Sequence, residues 1–276
     1  MKTDIICRYD WTESEISGIY NLPLLDLVYN AATVHRKFHD PCEIQVSSLL
    51  SVKTGACPED CAYCPQSARY KTEIESHSLL DVSQVTQAAK EARDGGATRF
   101  CIGAAWREVK DNEDFEKILE MVKNISSLGM EACCTLGMIT ESQAKRLAEA
   151  GLYAYNHNVD TSREFYGKII TTRTYDDRIK TLKRVREAGI TVCSGGIIGM
   201  GESEKDRIGM LLTLSTLNPH PESVPINSLI PVKGTPLGNN KAVSIWEIAR
   251  MIAATRIVMP KSVVRLSAGR VNMSRE

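Results

Sequence analysis

From about residue 80 the chain alternates apolar residues at helical spacing with short β-rich runs, and glycine marks the changeovers. Val85, Ala88, Ala89 and Ala92 fall on one helical face, Gly95 and Gly96 end it, and residues 98–102 follow as a predicted strand. Ile118, Met121, Val122 and Ile125 repeat the spacing, Gly129 closes it, and a strand is expected over 130–135. The third unit opens with Thr140 and Gln143 placed as a capping box. It continues through Ala144, Leu147 and Ala148 to Gly151, then hands over to a strand at 153–159. A fourth helix stops at Gly189 before a strand at 190–198. A helix from about Ser203, a strand at 224–229, a helix over 245–258 and a strand at 263–267 complete the series.

With the run 44–51 ahead of them, these make seven strands joined by helical crossovers. That α/β pattern predicts a parallel (β/α) barrel of TIM type with seven of its eight strands, built from residues 43–276. Residues 1–42 read as a short helical N-terminal extension, with Pro23 suited to a first turn and Leu24, Leu27, Val28 and Ala31 as its apolar face.

The length of 276 residues and 43% hydrophobic content suit one sizeable core. The 34 basic and 34 acidic residues cancel, so no overall field favours nucleic acid or an anionic membrane surface, and a small-molecule partner is expected. The first residues are polar where a signal peptide would be apolar, and no run approaches the roughly 20 apolar residues of a membrane span. The expectation is a soluble cytoplasmic protein. In that setting the nine cysteines point to metal binding before disulfides.

Directly after the first strand, Cys57, Cys61 and Cys64 stand within eight residues, in a loop that Gly55, Pro58 and Pro65 can turn. Three thiolates converging from a tight loop suit a cubane [4Fe-4S] cluster, and three ligands for four irons leave one iron open. An open iron can chelate S-adenosylmethionine, pass an electron to its sulfonium and release a 5′-deoxyadenosyl radical. The competing reading, a structural zinc loop, wants a fourth ligand nearby, and no His or Cys follows until His77. The Cys-x3-Cys-x2-Cys spacing resembles the radical S-adenosylmethionine signature. Tyr63 then resembles that family's adenine contact.

A cysteine on a strand is usually a small hydrophobe. Cys101, Cys133 and Cys193 differ by recurring, each four or five residues after a helix-ending glycine on strands two, three and five. In a barrel their side chains can point to one interior place. Arg265, within the seventh strand, puts a charge there that is costly unless paired. An anionic cluster bound by the three thiolates would compensate the guanidinium, which suggests a second iron-sulfur site. Cys134 points to the other side of its strand, and Cys7 and Cys42 receive no role.

The period of two places Asn156, Asn158 and Asp160 on one face of strand four. At the C-terminal end of a barrel strand, Asp160 can accept from ribose hydroxyls and the asparagines can pair with a planar urea-like group. Arg178 can meet a carboxylate or equally lie solvated on its helix. Gly196, Gly199 and Gly201 can let backbone approach a nucleotide.

Taken together these segments resemble the biotin synthase family from about Leu24 to Met273: KTGACPEDCAYCPQSARY, GAAW, YNHNVDT, ITTRTY, VCSGG, SVPIN and VRLSAGR. The resemblance implies radical insertion of sulfur into dethiobiotin. It assigns Cys57, Cys61 and Cys64 to the [4Fe-4S] cluster, and Cys101, Cys133, Cys193 and Arg265 to a sulfur-donating [2Fe-2S] cluster. Asn158 and Asn227 would hold the ureido ring, and Asp160 and Arg178 would contact S-adenosylmethionine. Two successive radical steps would close the thiophane ring, with electrons from a flavodoxin or ferredoxin and a homodimer as the assembly. Family members continue with another helix, an eighth strand and threonines near the substrate carboxylate. Their absence from this sequence sets an expectation of retained clusters with weakened substrate binding. Two other readings stand beside this one: a different radical S-adenosylmethionine barrel enzyme, and a cluster-binding remnant with little activity.

Overall fold

The structure is a computed structural model that describes residues 7–270 and Met273. Its sheet begins with β1 (Ser47–Lys53), β2 (Arg99–Ala104), β3 (Glu131–Thr135) and β4 (Ala154–Asn156), and continues with β5 (Thr191–Cys193), β6 (Gly196–Ile198), β7 (Ser223–Ser228) and β8 (Val263–Leu266). Every pairing between these strands is parallel. Both β5 and β6 pair with β7, so they are two halves of one predicted strand, and seven strands follow one another from β1 to β8 among the described residues.

The break between the halves has a local cause. Ser194 N–H bonds to Ser223 O at 3.0 Å, while Gly195 N–H turns to the Asn158 side chain at 3.1 Å. A Cβ on Gly195 would lie 1.9 Å from Pro225 O, so this crossing of backbones demands glycine. Strand four is shorter than expected because the chain leaves the ladder after Asn156 and Asp160 takes a φ of 68°. Strand one lies at Ser47–Lys53, a few residues later than the predicted 44–51.

The helices follow the repeat. α1 (Glu13–Tyr20) and α2 (Leu24–Phe38) lead, and α3 (Val82–Asp94), α4 (Glu113–Ser127) and α5 (Glu141–Glu149) alternate with the first strands. After them come a short α6 (Arg163–Tyr166), α7 (Tyr175–Glu187), α8 (Glu204–Ser215) and α9 (Ile245–Val258). Thr140 and Gln143 form the expected capping box. Ile118, Met121, Val122 and Ile125 of α4 are completely buried in the main core. Each such side chain contributes about 1.5–3 kcal/mol on leaving water.

The N-terminal helices pack against α8 and α9, with Trp11 Nε1 donating to Val258 O at 3.1 Å. On α2 the buried face is Leu27, Ala31 and Val34; Val28, expected inside, is 43% exposed. Among the described residues, no helix is long and apolar enough to cross a membrane.

Candidate active site

The cysteine loop is a tied ring. Cys57 N–H bonds to Gln66 O at 3.0 Å, Ala68 N–H returns to Cys57 O at 2.8 Å, and Gly55 N–H meets Gln66 Oε1 at 3.1 Å. Asp60 pins the loop to the segment after α6 by accepting from Thr171 N–H at 2.9 Å and Thr172 N–H at 3.2 Å. Those bonds, opposing burial, hold its carboxyl down at about 2. The ring brings Cys57, Cys61 and Cys64 around one cavity of about 160 Å³. Burial pushes the Cys61 thiol up to about 12 and raises Cys57 and Cys64 as well. Metal must therefore displace protons to bind.

Tyr63, Asp160 and Arg178 are drawn together. Arg178 is buried, not solvated: Nη2 pairs with Asp160, Nη1 donates to Asn158 O at 2.8 Å and Nε to Tyr166 OH at 3.0 Å. Tyr63 donates its hydroxyl to the same Asp160 oxygen, Oδ2, at 2.9 Å. Burial lifts the Tyr63 hydroxyl well above the ordinary phenol range, so it stays a donor.

Cys101, Cys133, Cys193 and Arg265 line a second cavity, of about 380 Å³. Cys101 and Cys133 are in register on β2 and β3. The nearness of the two thiols holds Cys101 below the ordinary thiol range and, together with burial, lifts Cys133 well above it. Burial raises Cys193, although Arg265 Nη2 donates to its sulfur at 3.0 Å. Gln66 and Ala104 line both cavities, so the two thiol sets adjoin.

The asparagines separate. Asn158 uses Oδ1 on Gly195 N–H. Asn227 spends both ends of its amide on backbone, donating to Gly196 O at 3.1 Å and accepting from Ala268 N–H at 3.0 Å. Asn156 faces the second cavity. Its Nδ2 donates to Thr135 Oγ1 at 3.1 Å, and its buried Oδ1 has no partner. The face-sharing of Asn156, Asn158 and Asp160 expected from the period of two does not hold beyond β4. Sequence reasoning also passed over Glu59 and Arg173, which line the first cavity. Both lie inside quoted motifs, but nothing in the spacing foretold that they meet.

Among the described residues, no group of three or more His, Cys, Asp or Glu side chains is placed to hold a single metal ion. The thiols ring cavities instead, as a polynuclear cluster with its own sulfides requires. Donors fit such an anionic group: Arg173 Nη2 reaches Cys61 Sγ at 3.8 Å beside the first cavity, and Arg265 Nε at the second is buried without a hydrogen-bond partner.

A curled parallel sheet with a three-cysteine loop after its first strand defines a radical S-adenosylmethionine enzyme. Residues 51–214 match the Radical SAM superfamily and residues 225–276 match the Biotin and Thiamin Synthesis associated domain. The chain is 64% identical to the biotin synthase of Cytophaga hutchinsonii over 98% of its own length and 80% of that protein. It is 61% identical to that of Nostoc punctiforme, over 97% of this chain and 80% of the other. The chain belongs to the biotin synthase family. Among solved structures, methylornithine synthase superposes with a TM-score of 0.80 at 19% identity, covering 93% of this chain and 75% of the other. The [FeFe]-hydrogenase maturase of Carboxydothermus hydrogenoformans also gives 0.80 at 19% identity, over 96% of this chain and 63% of the other. At that identity the likeness concerns the fold.

Proposed function

We propose that this chain converts dethiobiotin to biotin. On this reading Cys57, Cys61 and Cys64 hold a [4Fe-4S] cluster, while Cys101, Cys133, Cys193 and Arg265 hold a [2Fe-2S] cluster that gives up sulfur. The observation that carries the proposal is the adjoining of the two cysteine cavities across Gln66 and Ala104. A substrate seated there would lie between radical source and sulfur source.

When bound, the two clusters supply an electron for cleavage of S-adenosylmethionine and a sulfide for capture by the substrate carbons. The chain's own residues do the rest. Tyr63 and Arg178 fix the Asp160 carboxylate and leave Oδ1 free to accept from a ribose hydroxyl. The unpartnered Asn156 Oδ1 can accept a ureido N–H. Asn158 and Asn227 act from behind, keeping Gly195, Gly196 and Ala268 in place, with their remaining amide valences available to the ring. Arg265 neutralises charge among the three thiolates. The family further suggests a flavodoxin or ferredoxin as reductant and a homodimer as the working assembly.

A labelled-sulfur turnover tests this. Protein reconstituted anaerobically with iron and heavy-isotope sulfide, then desalted, is given dethiobiotin, S-adenosylmethionine and a reductant. Labelled biotin in the first turnover is expected. Unlabelled biotin, or none from a chain loaded with both clusters, contradicts the proposal.

A further inference from the structure

The cysteine loop holds a charge pair that the proposed reaction leaves unused. Glu59 lies between Cys57 and Cys61 with its side chain 3% exposed, and Arg173 reaches it with a side chain 8% exposed. Arg173 Nε stands 3.6 Å from Glu59 Oε2, and Arg107 Nε stands 3.5 Å from Oε1. Thr172 Oγ1 donates to Oε2. Neither Arg173 Nε nor Glu59 Oε1 has a hydrogen-bond partner. At the other end of the guanidinium, Nη2 donates to Cys61 Sγ at 3.8 Å. Both residues line the cavity of the three loop cysteines.

A pair kept for stability alone would close fork to fork, because burying two charges is repaid only when hydrogen bonds satisfy them. This one is held open and aimed at a ligand sulfur. We propose that Arg173 eases reduction of the cluster at Cys61, and that the Glu59 carboxylate beside it offsets part of its charge. The inference rests on the assignment of Cys57, Cys61 and Cys64 to a [4Fe-4S] cluster. Reduction adds one electron to an already anionic assembly, so a fixed buried cation favours the reduced state and a fixed anion the oxidised state. Net charge and hydrogen bonds to sulfur are among the factors that set such potentials.

The test uses the full chain, reconstituted anaerobically with its iron counted first, in wild type, R173M, R173K, E59Q and R173M/E59Q. Midpoint potentials are read by redox titration of the paramagnetic signal of the reduced cubane. R173M is expected to lower the reduced-to-oxidised ratio at fixed poise by about tenfold, which for one electron is about 59 mV. E59Q is expected to raise it, R173K to stay near wild type, and the double variant to fall between the single ones. Unchanged potentials in R173M and E59Q, or shifts of the same sign in both, overturn the inference. If R173M holds no cluster, E59Q decides alone, since loosening of the loop would not raise the potential. A wild-type chain without the cubane overturns both the inference and the assignment beneath it, and the initial iron count tells that failure apart.

Discussion

Tyr63 of the cysteine loop donates its hydroxyl at 2.9 Å to Asp160, which stands 97 residues further along the chain. With Arg178 on the same carboxylate oxygen, the contact ties loop, strand end and α7 into one buried polar knot. Removing one partner of such a pair leaves a buried charge uncompensated, a loss of about 3–5 kcal/mol. Asp160→Asn is therefore expected to lower unfolding free energy by about that amount, and Tyr63→Phe by about 1 kcal/mol for one hydrogen bond. Denaturant titration of the metal-free protein reads both. Equal, small losses would show that the knot is not a unit.

The asparagines make a second prediction. Asn156 lines the second cysteine cavity and keeps a buried, unpartnered side-chain carbonyl, whereas Asn227 is committed to two backbone groups. Asn156→Ala is expected to weaken dethiobiotin binding about tenfold, since a hydrogen bond of about 1.4 kcal/mol corresponds to that factor, and to cost stability only the single bond to Thr135. Asn227→Ala should lower the melting temperature as well. Isothermal titration and thermal unfolding of both variants separate the roles.

The glycine between β5 and β6 gives a third. With Pro225 O only 1.9 Å from where a Cβ would sit, Gly195→Ala must push β6 away from β7. A loss of about 1–3 kcal/mol is expected, as for other overpacked positions. Because Cys193 lies next to the break, the second cluster should be retained less well in the same variant. Unfolding curves and iron content of reconstituted protein measure the two effects.

Acidification makes a fourth. His35 and His39, stacked at 5.2 Å, are held below the ordinary imidazole range, first by burial and then by the charge of Arg256. Their unfolded forms bind protons more readily than their folded forms. The stability they contribute is complete above the unfolded value of about 6.5 and is lost as pH falls below it. Melting temperature is expected to drop between about pH 7 and pH 5.5, and His39→Asn should flatten that slope. A slope unchanged in the variant would place the effect elsewhere.

Much of the frame was legible because it is written locally. The apolar face of α4, the capping box at Thr140 and the placement of Cys101, Cys133 and Cys193 each four or five residues after a helix-ending glycine depend on residues a few positions apart; the structure buries the first, forms the second and brings the three cysteines to one cavity. The misses are long-range. Arg173 meets Glu59 across more than a hundred residues, Gly195 breaks a strand because Pro225 approaches it, and Asn227 is braced by Ala268. Periodicity carries no information about such meetings. On α2 the face was read about one turn too early: Val34 closes the stripe that Leu27 and Ala31 begin, and Val28 turns outward.

Seven side chains, Cys57, Cys61 and Cys64 with Cys101, Cys133, Cys193 and Arg265, are proposed to make two separate iron-sulfur sites. Iron and acid-labile sulfide counting on anaerobically reconstituted chain tests this proposal most directly, in wild type, Cys61→Ala and Cys133→Ala. Wild type is expected to hold about six irons per chain, falling to about two after Cys61→Ala and about four after Cys133→Ala, following the nuclearity of the two cluster types. Four irons in wild type, unchanged by Cys133→Ala, would contradict it.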